Sequence, residues 1–407
     1  MKNIVIVGGG SAGWMVAAYL AKHTDNNISL IESENVPIVG VGESTIPSIV
    51  DFLESIDITE NDLFNDCSAV RKYSIQHSNW NGENETWNHR FCYNEKDIEQ
   101  QDAWMNNYVK PNVKWRWAYH LDATRLGTII KEKSGIPNGV NHIIDDIVEV
   151  VVDGELVKRI VGKKADYIAD TFIDCTGFKS LLRSKLPIVK KKHKSLINNC
   201  AVCGPGLYQE GETPLPYTQS FAMDYGWRWR VCLQHRTGNG YAFNNNIISV
   251  EDAKKEFIAK TPGLNKDKIF VVNIDNSYTT EPWKGNVISF GLSCGFLEPL
   301  EATGLFLVYG PLQQYAKLIN NPNGQIIFNK LWNRLYRHVS EFVGLIFSSS
   351  KLNHTEYWRS IPKVSKIEPN SVNFKDKFWI EYNYQSLANI RKIEYVNPFS
   401  QSNRYSD

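Results

Sequence analysis

Glu298, Pro299, Glu301, Thr303 and Gly304 lie close together at the end of the run Gly291-Leu-Ser-Cys-Gly-Phe-Leu-Glu-Pro-Leu-Glu-Ala-Thr-Gly304. A carboxylate held beside a turn can take a proton from a bound molecule or stabilise positive charge on it. Pro299 limits the chain to turn-like conformations, and Gly304 lets the backbone come close to a ligand. The apolar run 287–292 reads as a strand, and 305–312 as the first turns of an apolar helix. Free amides at a helix start favour an anion, so Thr303 and Gly304 could hold a small one. A capped helix with solvated glutamates fits the stretch equally well.

A second constellation opens the chain. Residues 4–7 read as a buried strand, followed at once by Gly8-Gly-Gly10-Ser11-Ala12-Gly13 and a helical apolar pattern over 14–22. Gly8 makes the tight turn, Gly10 lets a pyrophosphate approach, and Gly13 packs helix on strand. A further strand, 28–31, ends in Glu32, nineteen positions after Gly13, where a carboxylate can bond an adenosine ribose hydroxyl. The single fingerprint predicts one bound dinucleotide and no separate nicotinamide domain.

The remaining elements must position these groups. The loop Gly40-Val-Gly42-Glu43-Ser44-Thr45-Ile46-Pro47 has the composition to lie across a cofactor, or to be an ordinary turn that caps the helix 48–55. Residues 70–80 read as strand or extended chain, and Arg71, Lys72, Gln76 and His77 most simply form a solvated face. Residues 81–117 are polar and aromatic with little periodicity, as in an excursion built over a site. A helix over about 120–133 and strands near 143–152 and 169–173 follow, the last ending in Asp174-Cys-Thr-Gly177 at the edge where a doubly wound sheet meets its ligand. The lysine run 190–194 reads as a solvated loop. Residues 220–243 read as antiparallel strands, with Trp227 and Trp229 on one face, Arg228 and Arg230 on the other, and a hairpin over 234–240. Helices are expected over 250–260 and 326–349, and the tail 352–407 is polar and aromatic.

Composition bounds the rest. A chain of 407 residues makes two or three domain-sized lobes, interleaving included. Forty-five basic against forty-four acidic residues leave no field for nucleic acid or an acidic membrane. Twelve Trp, nineteen Tyr and eighteen Phe suit a flat aromatic substrate and a packed core equally. The seven cysteines give one Cys-x-x-Cys pair, Cys200 and Cys203, without a second half, so no metal site is expected and the thiols are read as reduced. The start reads as a first strand and not a signal peptide, and no apolar run reaches membrane-spanning length, so a soluble cytoplasmic protein is expected.

Taken together, the motifs resemble flavin-dependent halogenases of the tryptophan-halogenase type, and the resemblance covers nearly the whole chain. It rests on the opening glycine run with Trp14-Met15, Gly40-Val-Gly-Glu-Ser-Thr-Ile-Pro47, Asp174-Cys-Thr-Gly177, Gly226-Trp-Arg-Trp229 and Phe296-Leu-Glu-Pro-Leu-Glu-Ala-Thr-Gly304, in order. The resemblance implies an α/β chain with an FAD-dependent monooxygenase-like fold. A Rossmann-type dinucleotide-binding lobe (1–50, 118–185 and 268–320) would interleave with a substrate lobe (51–117, 186–267 and 321–407). It implies FAD, reduced by a separate NAD(P)H-dependent flavin reductase, and chloride, bromide or iodide oxidised to hypohalous acid, which crosses a tunnel to an indole or other electron-rich aromatic.

Carried over residue by residue, the cofactor contacts fall on Gly8, Gly10, Ser11, Ala12, Gly13, Glu32, Gly42, Glu43, Ser44, Thr45, Ile46, Gly291 and Leu292. Thr303 and Gly304 match the halide turn. Glu301 matches the carboxylate that assists the ring intermediate, and Trp227 and Trp229 the wall between flavin and substrate. The family's lysine stands seven residues before an Asn-Trp pair; Asn79-Trp80 places it at Lys72, where an ammonium can hold hypohalous acid or form a haloamine. His89, Phe91 and Trp379 fall at aromatic substrate contacts. Departures are Cys232 at a proline position, Ala302 for serine, Gln76 for a second basic residue, and trimmed regions after Trp80 and at the C-terminus, which imply a more open pocket. Two rival readings remain: a flavin-binding relative that has lost halide use and hydroxylates or oxidises, and a non-catalytic flavoprotein. Retention of Lys72, Glu301, Thr303 and Gly304 as a set argues against the second. Substrate identity, halide preference and homo-oligomerisation stay open.

Overall fold

The computed structural model describes residues 1–37, 43–91 and 116–364, with backbone pairing also at Lys366–Ile367 and Glu394–Tyr395. The chain forms two compact units. One comprises Met1–Ala69, Leu121–Lys192 and Ser277–Tyr336, and the other Val70–His120, His193–Asn276 and Arg337–Asp407.

The first unit is built on a six-stranded sheet in the order Trp283–Lys284, Val287–Ser289, Thr171–Asp174, Asn3–Val7, Asn27–Glu32, Asn141–Ile144. All neighbours run parallel except the outermost pair, Trp283–Lys284 with Val287–Ser289. Parallel strands are covered on both faces, which is why Ile4, Val5, Ile6 and Val7 form an unbroken apolar run and are all buried. The helix Ser11–His23 leaves directly from the first strand and packs against the helices Ala123–Ile130 and Phe306–Leu318. An antiparallel meander, Ile147–Asp153, Leu156–Gly162 and Asp166–Tyr167, contributes Val150, Val157 and Ile160 to a cluster with Val5, Val7, Phe172 and Leu186.

Several local expectations change here. The strand expected to reach 292 stops at Ser289, because Gly291 takes a left-handed φ of 69° and opens the 3-10 turn Gly291–Ser293. The helix expected to reach 133 gives way to a π-helical turn at Lys131–Gly135. The lysine run is not a loop: Lys190–Lys192 is an exposed strand paired with Ser277–Thr279.

The second unit carries a seven-stranded sheet in the order Phe270–Asn273, Cys200–Gly206, Thr237–Phe243, Gly226–Cys232, Tyr217–Met223, Ser74–Ser78, Thr86–Arg90. Only Tyr217–Met223 with Ser74–Ser78 is parallel. The helix Val250–Lys260 starts at Ser249, whose hydroxyl accepts the Asp252 amide, and buries Ala253 and Phe257 in a cluster with Met223, Tyr241 and Phe243. The hairpin expected over 234–240 is shorter, closed by the bond from the Leu233 amide to the Arg236 carbonyl, and the strand resumes at Thr237. Gly240 is a strand residue whose missing side chain makes room for the Trp229 indole.

Among the described residues no helix is long and apolar enough to cross a membrane, no group of His, Cys, Asp and Glu could hold a metal ion, and six cysteines are buried without a disulfide.

Candidate active site

In the first unit the glycine turn is shaped for a close approach. Gly8 has a φ of 114°, open to glycine at little cost, and a Cβ there would strike the Cys175 carbonyl. A Cβ at Gly13 would overlap the Gly8 carbonyl oxygen, so helix and turn meet only because that residue lacks a side chain. Gly10 differs: it is extended (φ −74°, ψ −178°) and nothing lies within 4 Å of the place a Cβ would take. That open cradle at the start of a thirteen-residue helix fits a pyrophosphate.

Glu32 ends the second strand with its carboxylate over Gly9 and 2.9 Å from His142 Nε2. Ser11 donates its hydroxyl to the Ala123 carbonyl at 2.8 Å. Ala12 packs against Gly291, where a Cβ would sit 3.0 Å from its methyl, while Leu292 is exposed. Glu43 and Ser44 form a short half-buried strand ahead of the buried Thr45 and Ile46. Burial, with the Asp122 charge added, pushes the Glu43 carboxyl up to about 7. Gly42 lies outside the described residues, as does Trp379.

Asp174 is fully buried, and its carboxylate is saturated from within the chain. It accepts the Thr176 amide at 3.0 Å and hydroxyl at 2.7 Å, and the Leu182 and Arg183 amides at 2.8 Å each. Burial raises its pKa, and these bonds pull it back. The residue organises the turn after its strand.

The carboxylates of the turn that leads to Gly304 are not solvated. Glu298 is 0% and Glu301 2% exposed, which removes the reading of a plain capped helix. The 3-10 turn Pro299–Glu301 is closed by the Ala302 amide on the Pro299 carbonyl at 2.9 Å. Ala302 is left-handed (φ 58°), a conformation that costs an L-residue about 1 kcal/mol. Thr303 then accepts the Leu307 amide and begins the winding into the helix Phe306–Leu318. The Thr303 side-chain oxygen is buried and has no hydrogen-bond partner, and around Gly304 nothing lies within 4 Å of a Cβ position. An unpaired buried hydroxyl beside open space, at the positive end of a helix, fits a small anion.

In the second unit Lys72 is fully buried, against the expectation of a solvated face. It sits on the strand Val70–Lys72, paired antiparallel with Ala118–Leu121 so that Lys72 opposes Ala118 and Val70 opposes His120. That register turns Lys72 and His120 to one side. Lys72 Nζ donates to Thr218 Oγ1 at 3.1 Å and lies 5.2 Å from the Phe91 ring centre. Thr218 Oγ1 is also 2.8 Å from His120 Nε2, and His120 Nδ1 is 3.1 Å from the Cys232 carbonyl oxygen. Burial and then the Lys72 charge hold the His120 pKa well below its ordinary value. Neither Thr218 nor His120 was expected from the motifs; strand alternation was the one available signal.

His89 is buried, edge-on to Phe91 at 6.3 Å and to Phe342 at 5.9 Å. Trp227 and Trp229 share a face, with ring centres 5.4 Å apart, opposite the small partners Ala222, Ala242 and Gly240. On the other face Arg228 lies 4.1 Å over the Phe221 ring, its pKa drawn down to about 10 by burial and by Arg230. Arg230 pairs with Glu212 and donates to Gln219, which reaches Gln76 at 3.4 Å. Gln219 thus stands between position 76 and Arg230.

The family model described as tryptophan halogenase matches residues 3–113 and 103–378. The chain belongs to the tryptophan halogenase family. Family membership makes it an enzyme of the flavin-dependent halogenase class. A tryptophan 6-halogenase of Streptomyces toxytricini is 28% identical over 422 residues, covering 88% of this chain and 80% of the relative. Among solved structures, VirX1 in its apo form is 30% identical, covers 89% of this chain and 80% of its own, and superposes with a TM-score of 0.79. The flavin-dependent halogenase BrvH of Brevundimonas sp. BAL3 is 23% identical over 98% of this chain and 91% of its own, and its TM-score of 0.86 shows the shared fold.

Proposed function

We propose that this family member halogenates an indole or another electron-rich aromatic, using reduced FAD from a separate NAD(P)H-dependent reductase, oxygen and a halide. The observation that carries the proposal is the complete burial of Lys72 with its ammonium on Thr218. Burying an ammonium costs several kcal/mol, a penalty that a protein merely storing flavin has no reason to bear.

The residues take the following parts. The open cradle at Gly10 receives the pyrophosphate and Glu32 the ribose. Reduced FAD, when bound, would give two electrons to oxygen, and oxygen so reduced would take two more from halide to yield hypohalous acid. Thr303 offers its unpaired hydroxyl to the halide, and Gly304 leaves the space for it. Lys72 holds hypohalous acid through a charge-assisted hydrogen bond, which polarises the halogen. Glu301, itself buried, stabilises positive charge on the attacked ring and takes the departing proton. Trp227 and Trp229 supply the paired indoles that the family resemblance implies as a wall between flavin and substrate. His89 and Phe91 contact the substrate. Of the two units, Met1–Ala69 with its two companion segments carries FAD, and the other carries the substrate.

The deciding experiment combines the purified chain with a flavin reductase, each of chloride, bromide and iodide, and a panel of indoles and phenols, with mass-spectrometric detection. Halogenated product that needs both halide and reductase is expected. No product from any halide, or rapid NADPH oxidation by the chain alone, would overturn the proposal.

A further inference from the structure

The hydrogen bonds around Lys72 have a fixed direction. The Cys232 carbonyl can only accept, so His120 Nδ1 carries the proton of that 3.1 Å bond. A neutral ring then has Nε2 as a bare acceptor, and the Thr218 hydroxyl donates to it at 2.8 Å. With its proton committed, Thr218 Oγ1 turns a lone pair to Lys72 Nζ, which donates at 3.1 Å. The order runs from ammonium to hydroxyl to imidazole to main-chain carbonyl, and Lys72, Thr218 and His120 are 0%, 6% and 0% exposed. Reversal would need an imidazolium whose Nε2 proton competes with Lys72 for the same oxygen. Burial beside a cation opposes that state.

We propose that His120, acting through Thr218, is the positioning residue of Lys72: it aims the Thr218 lone pair at the ammonium and fixes Nζ where hypohalous acid is taken up. The inference rests on the role proposed above for Lys72 and extends it to residues outside the recognised motifs. A threonine hydroxyl alone rotates among three staggered positions. Tied to His120, it keeps one. The anchor at the far end is a backbone oxygen, which does not depend on the side chain at position 232, where cysteine stands at the motif's proline position.

Two measurements test this. Protein labelled with ¹⁵N-histidine should show, at neutral pH, one of its nine histidines as a neutral Nδ1–H tautomer. That signal should be missing in His120→Gln, and its Nε2 resonance should move in Thr218→Val. An Nε2–H tautomer or an imidazolium at His120 would overturn the proposal. In the halogenation assay, Thr218→Val should lower product per flavin oxidised by about 10-fold, the worth of one charge-assisted hydrogen bond. FAD affinity and the aromatic KM should stay within about 2-fold, and Thr218→Ser should recover most of the yield. Full yield in Thr218→Val, or loss of FAD binding together with product, would refute a positioning role. Wild-type protein that halogenates nothing would instead sink the functional reading, and the tautomer would then decide the bond order by itself.

Discussion

Gly10 and Gly13 stand three residues apart in the glycine turn, and the structure predicts opposite outcomes when each gains a side chain. An ideal Cβ at Gly13 falls 1.8 Å from the Gly8 carbonyl oxygen, where an ordinary contact begins at 3.4 Å. The helix Ser11–His23 would have to withdraw by about 1.6 Å (3.4 minus 1.8), and its inner face, with Trp14, Met15, Val16, Ala17 and Leu20 all at 1% exposure or less, has no slack. Gly13→Ala should therefore destabilise the apo-protein by about 3 kcal/mol, the upper end for overpacking. Gly10 has extended angles that valine adopts readily, and nothing within 4 Å. Gly10→Val should leave apo stability within about 0.5 kcal/mol, as for an unconstrained site. Its two methyls fill the space a pyrophosphate needs, displacing at least one charge-assisted amide bond, so FAD affinity should fall by about 100-fold. Urea unfolding followed by circular dichroism, without and with FAD, separates the two. Saturating FAD at a hundred times Kd should add about 2.7 kcal/mol to the wild type and almost nothing to Gly10→Val. Retained FAD affinity in Gly10→Val, or wild-type stability in Gly13→Ala, would refute the assignment of the turn.

Three further outcomes are expected. Lys72→Ala should cut halogenated product by about 100-fold while oxygen uptake by reduced flavin continues, because the ammonium acts on hypohalous acid already made. Product that survives this change but vanishes with a thiol scavenger would mean that the acid reacts in free solution. Thr303→Val removes a buried hydroxyl that has no partner, so stability should hold or rise by about 1 kcal/mol while the halide KM rises about 10-fold; an unchanged halide KM would exclude Thr303 from the halide site. The Glu43 carboxyl, raised from 4.5 to about 7, binds its proton more tightly in the folded state, so its contribution is present at acid pH and is lost as pH rises through that window. The 2.5-unit difference (7 minus 4.5) corresponds to a loss on the order of 3 kcal/mol, and Glu43→Gln should flatten the denaturant midpoint between the two ends; identical slopes in both proteins would exclude Glu43 as the cause.

The parts legible in the sequence are those set by neighbours along the chain. A strand, a glycine turn, a helix and an acid at the end of the next strand are local features, and they carried the Rossmann-type lobe without tertiary knowledge. What decides burial is not local. Locally, Lys72 reads most simply as a solvated charge, and Glu298 and Glu301 fit a solvated turn as well as a functional one; only the packed chain shows them covered. The bonds around Lys72 span 146 residues to Thr218, and Thr218 reaches 98 residues back to His120, so strand alternation could give the side a residue takes but not which residues meet. Gly240 misled in a different way. Thr-Gly-Asn-Gly reads as turn chemistry, yet its last glycine is a strand position kept bare for an indole.

The two motif departures acquire a physical meaning from this frame. Cys232 contributes its main-chain carbonyl to His120, and a proline would contribute the same oxygen, so the exchange leaves the support of Lys72 untouched. Ala302 is a buried left-handed residue at the close of the Pro299–Glu301 turn, and what the turn takes from it is its backbone amide on Pro299. A serine there would add a second hydroxyl beside that of Thr303. Without it, Thr303 is the side-chain donor left in the Ala302-Thr303-Gly304 segment, with the amides of the helix start behind it. A site with one hydroxyl and backbone amides discriminates weakly between spherical anions, since neither donor type imposes a fixed cavity size. Large, poorly hydrated halides lose less on leaving water, and such a turn should therefore favour bromide and iodide over chloride. Competition among the three at equal concentration measures this directly, and a strict preference for chloride would show that other groups enclose the ion.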